Sequence, residues 1–278
     1  MKRIAQELGL GIDESETRVC VSAEEAAEKI MKNIGVRPIV EYKKTRLPLQ
    51  GENWKRLAQI EKEQCRLKHS GELSLEEYKV QLQKEKDEIR KKQSQYKMTE
   101  TMVILIKALS TSDDTERAFF LRWLGLKLDM RSRKHMSNLR HKYTRCEQQK
   151  DRDAIAQLDQ ELLDCSLGIE HYMREMGQIY EAVSFGSTKI SDKILNLPTL
   201  AAKMLLAGFP LELLDGDASN IPEKWVSDVL MELHRMVGEK SRLLVLTVLG
   251  VQSTGKSTLL NTMFGVQFAV SSGRCTRG

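Results

Sequence analysis

Apolar residues recur along most of this chain at the three-and-four spacing of helices, and near residue 245 the pattern changes to an unbroken run. The clearest stripe is Ile155, Leu158, Leu162, Cys165, Ile169, Tyr172, Met176, Ile179 and Val183, alternately three and four apart without a polar exception. Side chains so spaced stay on one side of a helix for four heptads, so the pattern predicts one long helix buried against another. Met173 and Tyr180 widen the apolar face, while Gly168 and Ala182 stand where a coiled coil usually places charge. That breadth favours an internal bundle over a dimerising zipper, with Cys165 and Met176 as core residues rather than ligands.

Shorter signals place the other helices. Ser22-Ala23-Glu24-Glu25 has the spacing of a capping box ahead of Ala26, Ala27, Ile30 and Met31, which predicts a short amphipathic helix stopped by Gly35. Pro38 and Pro48 are expected to bracket an extended segment. A further helix is expected over about 52–68. Ser74-x-x-Glu77 opens another, running to about Lys97, with Leu75, Tyr78, Leu82, Ile89 and Tyr96 on one side. Glu85 and Lys92 interrupt that stripe, so it is not a dedicated coiled coil. Asp113-x-x-Glu116 begins a helix with Phe119, Phe120, Trp123, Leu124 and Leu128 as its apolar face. Leu200–Leu206 is apolar apart from Lys203 and is broken by Gly208-Phe209-Pro210. Asp215-Gly216-Asp217 lacks the further oxygen ligands of a calcium loop and reads as a plain turn. Pro222-Glu223 starts a last lead-in helix, with Trp225, Val229, Leu230, Leu233 and Met236 inward and Gly238 at its end.

The stretch Arg131–Arg145 carries Arg131, Arg133, Lys134, Arg140, Lys142, Arg145, His135 and His141 and no acid. A phosphate, lipid headgroup or nucleic acid is one partner for such a segment. The simpler expectation is the solvated face of a long helix whose Met136, Leu139 and Tyr143 point inward, because no stacking aromatics or glycine-rich loop interleave.

Leu243–Leu249 is a continuous apolar run of strand length, suited to a parallel strand covered on both faces. It leads directly into Gly250-Val251-Gln252-Ser253-Thr254-Gly255-Lys256-Ser257, the GxxxxGK[ST] pattern, and then into Thr258–Phe264 as an amphipathic helix. Gly250 and Gly255 let the backbone turn tightly, so that its N–H groups, those of Ser253 and Thr254 among them, approach phosphate oxygens. The helix behind them points its positive end at the same anion. Lys256 reaches the β/γ-phosphates and the Ser257 hydroxyl ligates Mg²⁺, while Thr258 supports the first helical turn.

Composition narrows the class. The chain has 278 residues, 41% hydrophobic and 30% charged, which is enough for a buried core. Lys and Arg number 44 against 39 Asp and Glu, an excess too small for a polybasic nucleic-acid binder. Five scattered cysteines, with no CxxC among them, argue against a disulfide framework or zinc site and for a reducing compartment. No signal peptide is visible, and Met102–Ile106 and Leu243–Leu249, the longest apolar runs, are far too short to span a bilayer. The chain is therefore expected to be soluble and intracellular.

The loop alone does not separate ATP from GTP users. The stretch Gly250–Gly278, with the Leu-rich strand before it, the Asp215-Gly216-Asp217 … Trp225 lead-in and the end Gly273–Gly278, resembles the very large interferon-inducible GTPases and their up-regulator-of-cell-proliferation relatives. More distantly, Gln252–Thr258 resembles the loops of dynamins, and Thr276-Arg277-Gly278 resembles switch I of atlastins and guanylate-binding proteins. The resemblance implies GTP and Mg²⁺ as ligands, with Thr276 as the switch threonine closing on Mg²⁺ and the γ-phosphate. It also implies Gln252 and Ser253 near the attacking water, self-association through the G domain, and a cytosolic or nuclear setting. Guanylate-binding proteins carry an arginine finger at the position of Ser253, which this sequence lacks. The fold class expected is mainly α. A helical region covers 1–240, comprising a weakly patterned part (1–50), bundle helices over about 52–207 and the lead-in helix 222–238. The first strand, P-loop and helix of an incomplete α/β P-loop GTPase domain follow over 241–278. No Asp-x-x-Gly or base-reading motif follows the loop, so the chain is expected to be a fragment cut inside its G domain, binding nucleotide weakly and hydrolysing it undetectably when isolated. Two other functions stay open: an ATP-using P-loop protein, and a helical protein–protein interaction module with a non-functional P-loop.

Overall fold

Helix α1 (Glu14–Ile34) opens the part of the chain that the computed structural model describes, namely residues 14–65, 74–149, 152–183, 191–213, 221–240, 242, 248–249, 251 and 254–264. Its Ala23, Ala27, Ile30 and Ile34 are buried at helical spacing, and Gly35, at φ +57°, ends it as expected. The helix starts eight residues before Ser22, so the expected capping box lies in its interior. The stretch between the two prolines is also corrected. Pro38 precedes a helix, α2 (Ile39–Arg46), and Pro48 begins a single 3₁₀ turn, Pro48–Gln50. A proline at a helix entrance loses no hydrogen bond, because the first N–H groups of a helix have no partner within it. Burial of Ile39, Tyr42, Leu47 and Leu49 stabilises the segment.

Helices α3 (Glu52–Cys65) and α4 (Leu75–Ser94) lie side by side over a small core of their own, Leu57, Ile60, Leu82 and Ile89. Arg56 grips Glu85 side-on, Nε and Nη2 donating to the two carboxylate oxygens at 2.6 and 2.7 Å, and Lys86 reaches Glu61 at 2.9 Å. The expected capping box at Ser74 is present. Glu77 N–H donates to Ser74 Oγ at 3.3 Å, and Ser74 N–H donates to Glu77 Oε2 at 3.0 Å. Ser74→Ala is expected to lower stability by about 0.5–2 kcal/mol, read as a shift of the urea midpoint at unchanged slope.

Helix α5 (Glu100–Leu109) is capped by Thr99 and buries Met102, Leu105, Ile106 and Leu109. Helix α6 (Asp114–Gln149) runs 36 residues, about 54 Å at the usual rise. Asp113 Oδ1 accepts the N–H groups of Thr115 and Glu116 at 2.8 and 3.2 Å, as its position predicted. The first half of α6 packs on α1 through Phe120, Leu121, Leu124 and Leu128, and Lys127 reaches Glu28. In the second half Leu139 is buried while Arg131, Arg133, Arg140, His141, Lys142 and Arg145 are exposed. That is the solvated basic face; the side chains of Lys134, His135 and Met136 lie outside the described residues.

The long stripe at 155–183 is two helices, α7 (Arg152–Cys165) and α8 (Ile169–Val183), broken at residues 166–168. Gly168 is a poor helix former, and its N–H donates to His171 Nδ1 at 3.2 Å, starting a new helix locally. Burial holds the His171 imidazole below its ordinary value, against the Glu170 carboxylate that lies 3.0 Å from Nδ1 and pulls it up. Leu167, which is off the stripe, swings into the main core. The burial pattern was legible and the continuity was not. As expected for a bundle helix, α8 is enclosed on several sides, by α4, the 48–50 turn, α6 and the three helices over 192–237. Met176 is fully buried and Cys165 only half-buried.

A four-residue turn of helix, α9 (Asp192–Leu195), precedes α10 (Leu197–Leu206) and α11 (Glu223–Val237). Helix α11 is the expected lead-in helix, with Trp225 and Val229 buried and Gly238 at its end. Met236, expected to face inward, is exposed. The last described helix is α12 (Lys256–Phe264). The described residues contain no strand; most of the expected strand, 243–247, and the turn at 215–217 lie outside them. No described helix is long and apolar enough to cross a membrane.

Candidate phosphate-binding loop

The motif at 250–257 falls where the last helix begins. Gly255 has φ +78°, a left-handed conformation open to glycine and costly for a residue with a Cβ. Its carbonyl accepts the N–H of Leu259 at 2.8 Å, so the reversal passes without a break into the first turn of α12. Lys256 is the first helical residue, and its Nζ folds back to donate to the Val251 carbonyl oxygen at 2.6 Å. The Thr254 hydroxyl donates to the same oxygen at 2.9 Å. A backbone carbonyl five residues upstream is thus held by two side chains, and a cation stands over the loop at the helix's amino end. Helix N-termini carry partial positive charge and N–H groups without partners in the helix, so both features favour an anion there.

Among the residues singled out from sequence, Thr254, Gly255 and Lys256 are therefore brought together with Val251, while Thr258 is exposed on the first turn of α12. Ser257 sits in the first turn of α12, with its side chain outside the described residues. Gly250, Gln252, Ser253 and Thr276 also lie outside them. No group of three His, Cys, Asp or Glu side chains among the described residues gathers as a metal site.

The helix that leads towards the loop is anchored to the bundle. Trp225 packs on α8 where Gly177 leaves room; a Cβ at Gly177 would stand 3.0 Å from the indole Cδ1 and Nε1. The ring also lies against Tyr180, centroids 5.7 Å apart. Trp225 N–H, at the open end of α11, donates to Glu181 Oε1 at 2.8 Å. Tyr180 donates its hydroxyl to Asp228 at 2.6 Å, and Lys224 donates to the same carboxylate at 2.8 Å.

Sequence patterning missed a second polar centre, inside the bundle. Glu175 is fully buried on α8, and its two oxygens accept Leu49 N–H at 3.1 Å and Gln50 Nε2 at 2.8 Å. Arg174 clasps Glu212 from the segment after α10 at 2.8–3.0 Å, and Arg90 donates to Gln178 at 2.8 Å. The available signal was the set of charged residues between the stripe positions of a helix that is enclosed on several sides.

Comparison with known proteins places the chain among GTPases. The family model for the URGCP-like GTPase domain matches residues 61–278, beginning inside α3 and so reaching well into the helical part. Interferon-induced very large GTPase 1 of Mus musculus is 38% identical across 99% of this chain, and its Homo sapiens counterpart is 35% identical across the same share. Up-regulator of cell proliferation of Mus musculus is 36% identical across 100% of the chain. The chain spans 12% of the length of the very large GTPases and 30% of the length of up-regulator of cell proliferation. No solved structure matches it at a significant level.

Proposed function

The chain belongs to the URGCP-like GTPase family, and from that membership we propose that the loop at 250–257 binds the phosphates of GTP with Mg²⁺, in a protein that hydrolyses GTP as a whole. The observation that carries this reading is the left-handed turn at Gly255 running straight into α12 with the Lys256 ammonium drawn back over the loop. In this reading Leu243–Leu249 is the first strand of an α/β P-loop domain, and Gly250 and Gly255 bring backbone N–H groups to the phosphates. Lys256 exchanges the Val251 carbonyl for β- and γ-phosphate oxygens, a stronger acceptor because it is ionised. Ser257 and Thr276 hold Mg²⁺, which neutralises charge on the transferred phosphoryl group when bound. Gln252 and Ser253 orient the attacking water, as the likeness to dynamin and guanylate-binding-protein loops suggests. Ser253 supplies no positive charge, so within this loop the lysine, the helix terminus and the metal are the groups that stabilise the transition state. Self-association through the G domain is part of the same proposal.

Base choice is tested by competition on the full-length protein. A fluorescent guanine nucleotide is expected to be displaced by unlabelled GTP at least about tenfold more effectively than by ATP, which corresponds to about 1.4 kcal/mol. Equal displacement would move the assignment to an ATP-using P-loop protein.

A further inference from the structure

We propose that Glu175 is a proton-operated latch: ionised, it holds the Pro48–Gln50 turn against α8, and on taking up a proton it releases Gln50. The donors around it are arranged for a carboxylate. Leu49 N–H and Gln50 Nε2 approach the two oxygens, at 3.1 and 2.8 Å, and both can only donate. The Gln50 amide has no freedom left. Its second N–H goes to the His171 carbonyl at 2.8 Å, and its oxygen accepts from Arg174 at 3.2 Å. A carboxyl O–H appearing on Glu175 would face donors. Turning the amide over to accept that proton would set its NH₂ against Arg174 and leave the His171 carbonyl without its donor. One proton therefore changes the partners of the turn that joins α2 to α3.

Burial works against this donor set, and it wins by enough to place the titration near neutrality. Desolvation pushes the Glu175 carboxyl up to about 7, while Gln50, Leu49 and the Arg174 charge pull it down. The charges near it are few. Arg174, on the same helix, is tied to Glu212. From the segment after α4 comes the Tyr96 phenol, pushed up to about 12 by burial and by the Glu175 charge. Lys43 of α2 acts one turn earlier, on His171 and Glu170. Arg90 of α4 engages Gln178, and on the α11 side Lys224 and Asp228 engage Tyr180. Because the folded carboxyl lies above its ordinary 4.5, the folded chain takes up the proton that the unfolded chain releases between about 4.5 and about 7. The stabilisation from this group is complete below that window and is lost as the pH rises through about 7. The local hydrogen bonds of the turn follow the opposite course and are strongest above it.

Hydrogen exchange at 47–51 in the full chain reads the latch directly, because the Leu49 amide is itself a donor to Glu175. After correction for intrinsic exchange, protection there is expected to fall at least about threefold between pH 8 and pH 6. Glu175→Gln, which keeps the shape and adds a permanent NH₂, is expected to give the low value at both pH values. Gln50→Met removes one donor to the carboxylate and is expected to move the wild-type midpoint to higher pH. A wild-type profile that is flat across this range overturns the proposal, as does a midpoint that stays in place in Gln50→Met.

Discussion

Alanine at position 256 is expected to weaken guanine-nucleotide affinity of the full-length protein by about 10- to 100-fold, measured with a fluorescent nucleotide at fixed Mg²⁺ and salt. A hydrogen bond to a charged group contributes about 1.5–3 kcal/mol, and each 1.4 kcal/mol is a factor of ten. The substitution is structurally mild. Position 256 is the first residue of α12, where alanine is the best helix former, and the Val251 carbonyl that Lys256 holds is also held by the Thr254 hydroxyl, which stays in place. Helix content should therefore be unchanged by circular dichroism while affinity drops. Unchanged affinity would leave the loop without a role in phosphate binding. The chain would then be better read as a helical interaction module carrying a non-functional P-loop.

The largest effect on stability is expected from Trp225→Ala, about 3–5 kcal/mol in chemical denaturation. Trp225 is 2% exposed and fills the hollow at Gly177. Its removal leaves a cavity that neighbouring helices close only in part, and it also deletes the ring packing against Tyr180, about 0.5–1.5 kcal/mol of the total. The Glu181 bond to the Trp225 amide involves the backbone, so it remains available to alanine. A loss below about 1 kcal/mol would mean that α11 is not held to the bundle by this ring.

How far sequence alone reached differs from one element to the next. The starts at Ser74 and Asp113 were legible because each is a local hydrogen-bond device whose partners lie two or three residues away. The same logic misled at Ser22, where serine and glutamate at capping distance sit inside a helix whose first turns carry little apolar periodicity. Helix α5 went unread because its run of apolar residues shows no single face until the surrounding helices enclose it. The stripe at 155–183 identified most of the side chains that are buried. It could not show the break, since a three-residue interruption beside Gly168 keeps the spacing of the buried positions. Glu175 was invisible for a related reason: a charged residue between stripe positions reads as a solvated one, and only α4 and the 48–50 turn packing over it make it interior. In the phosphate loop, Gly255 and Lys256 could be read from the backbone geometry the motif demands: Gly255 has a positive φ, and Lys256 begins α12 with its ammonium on the Val251 carbonyl. The roles given to Gln252, Ser253 and Thr276 came from family likeness, and these residues lie outside the described part of the chain.

The bundle is closed by pairs very distant along the chain. Glu28 meets Lys127, 99 residues on; Leu49 meets Glu175 after 126; Tyr42 shares a 2.8 Å hydrogen bond with Tyr172 after 130. On a ribosome making about 5–20 residues per second, α1 would wait on the order of ten seconds before α8 emerges to complete its surroundings. Through that interval α1 can pack on α5 and α6, but the sides of Tyr42 and Leu49 that α8 covers face solvent or a chaperone. Every one of these partners precedes residue 250, so this exposure ends without any contribution from the nucleotide loop.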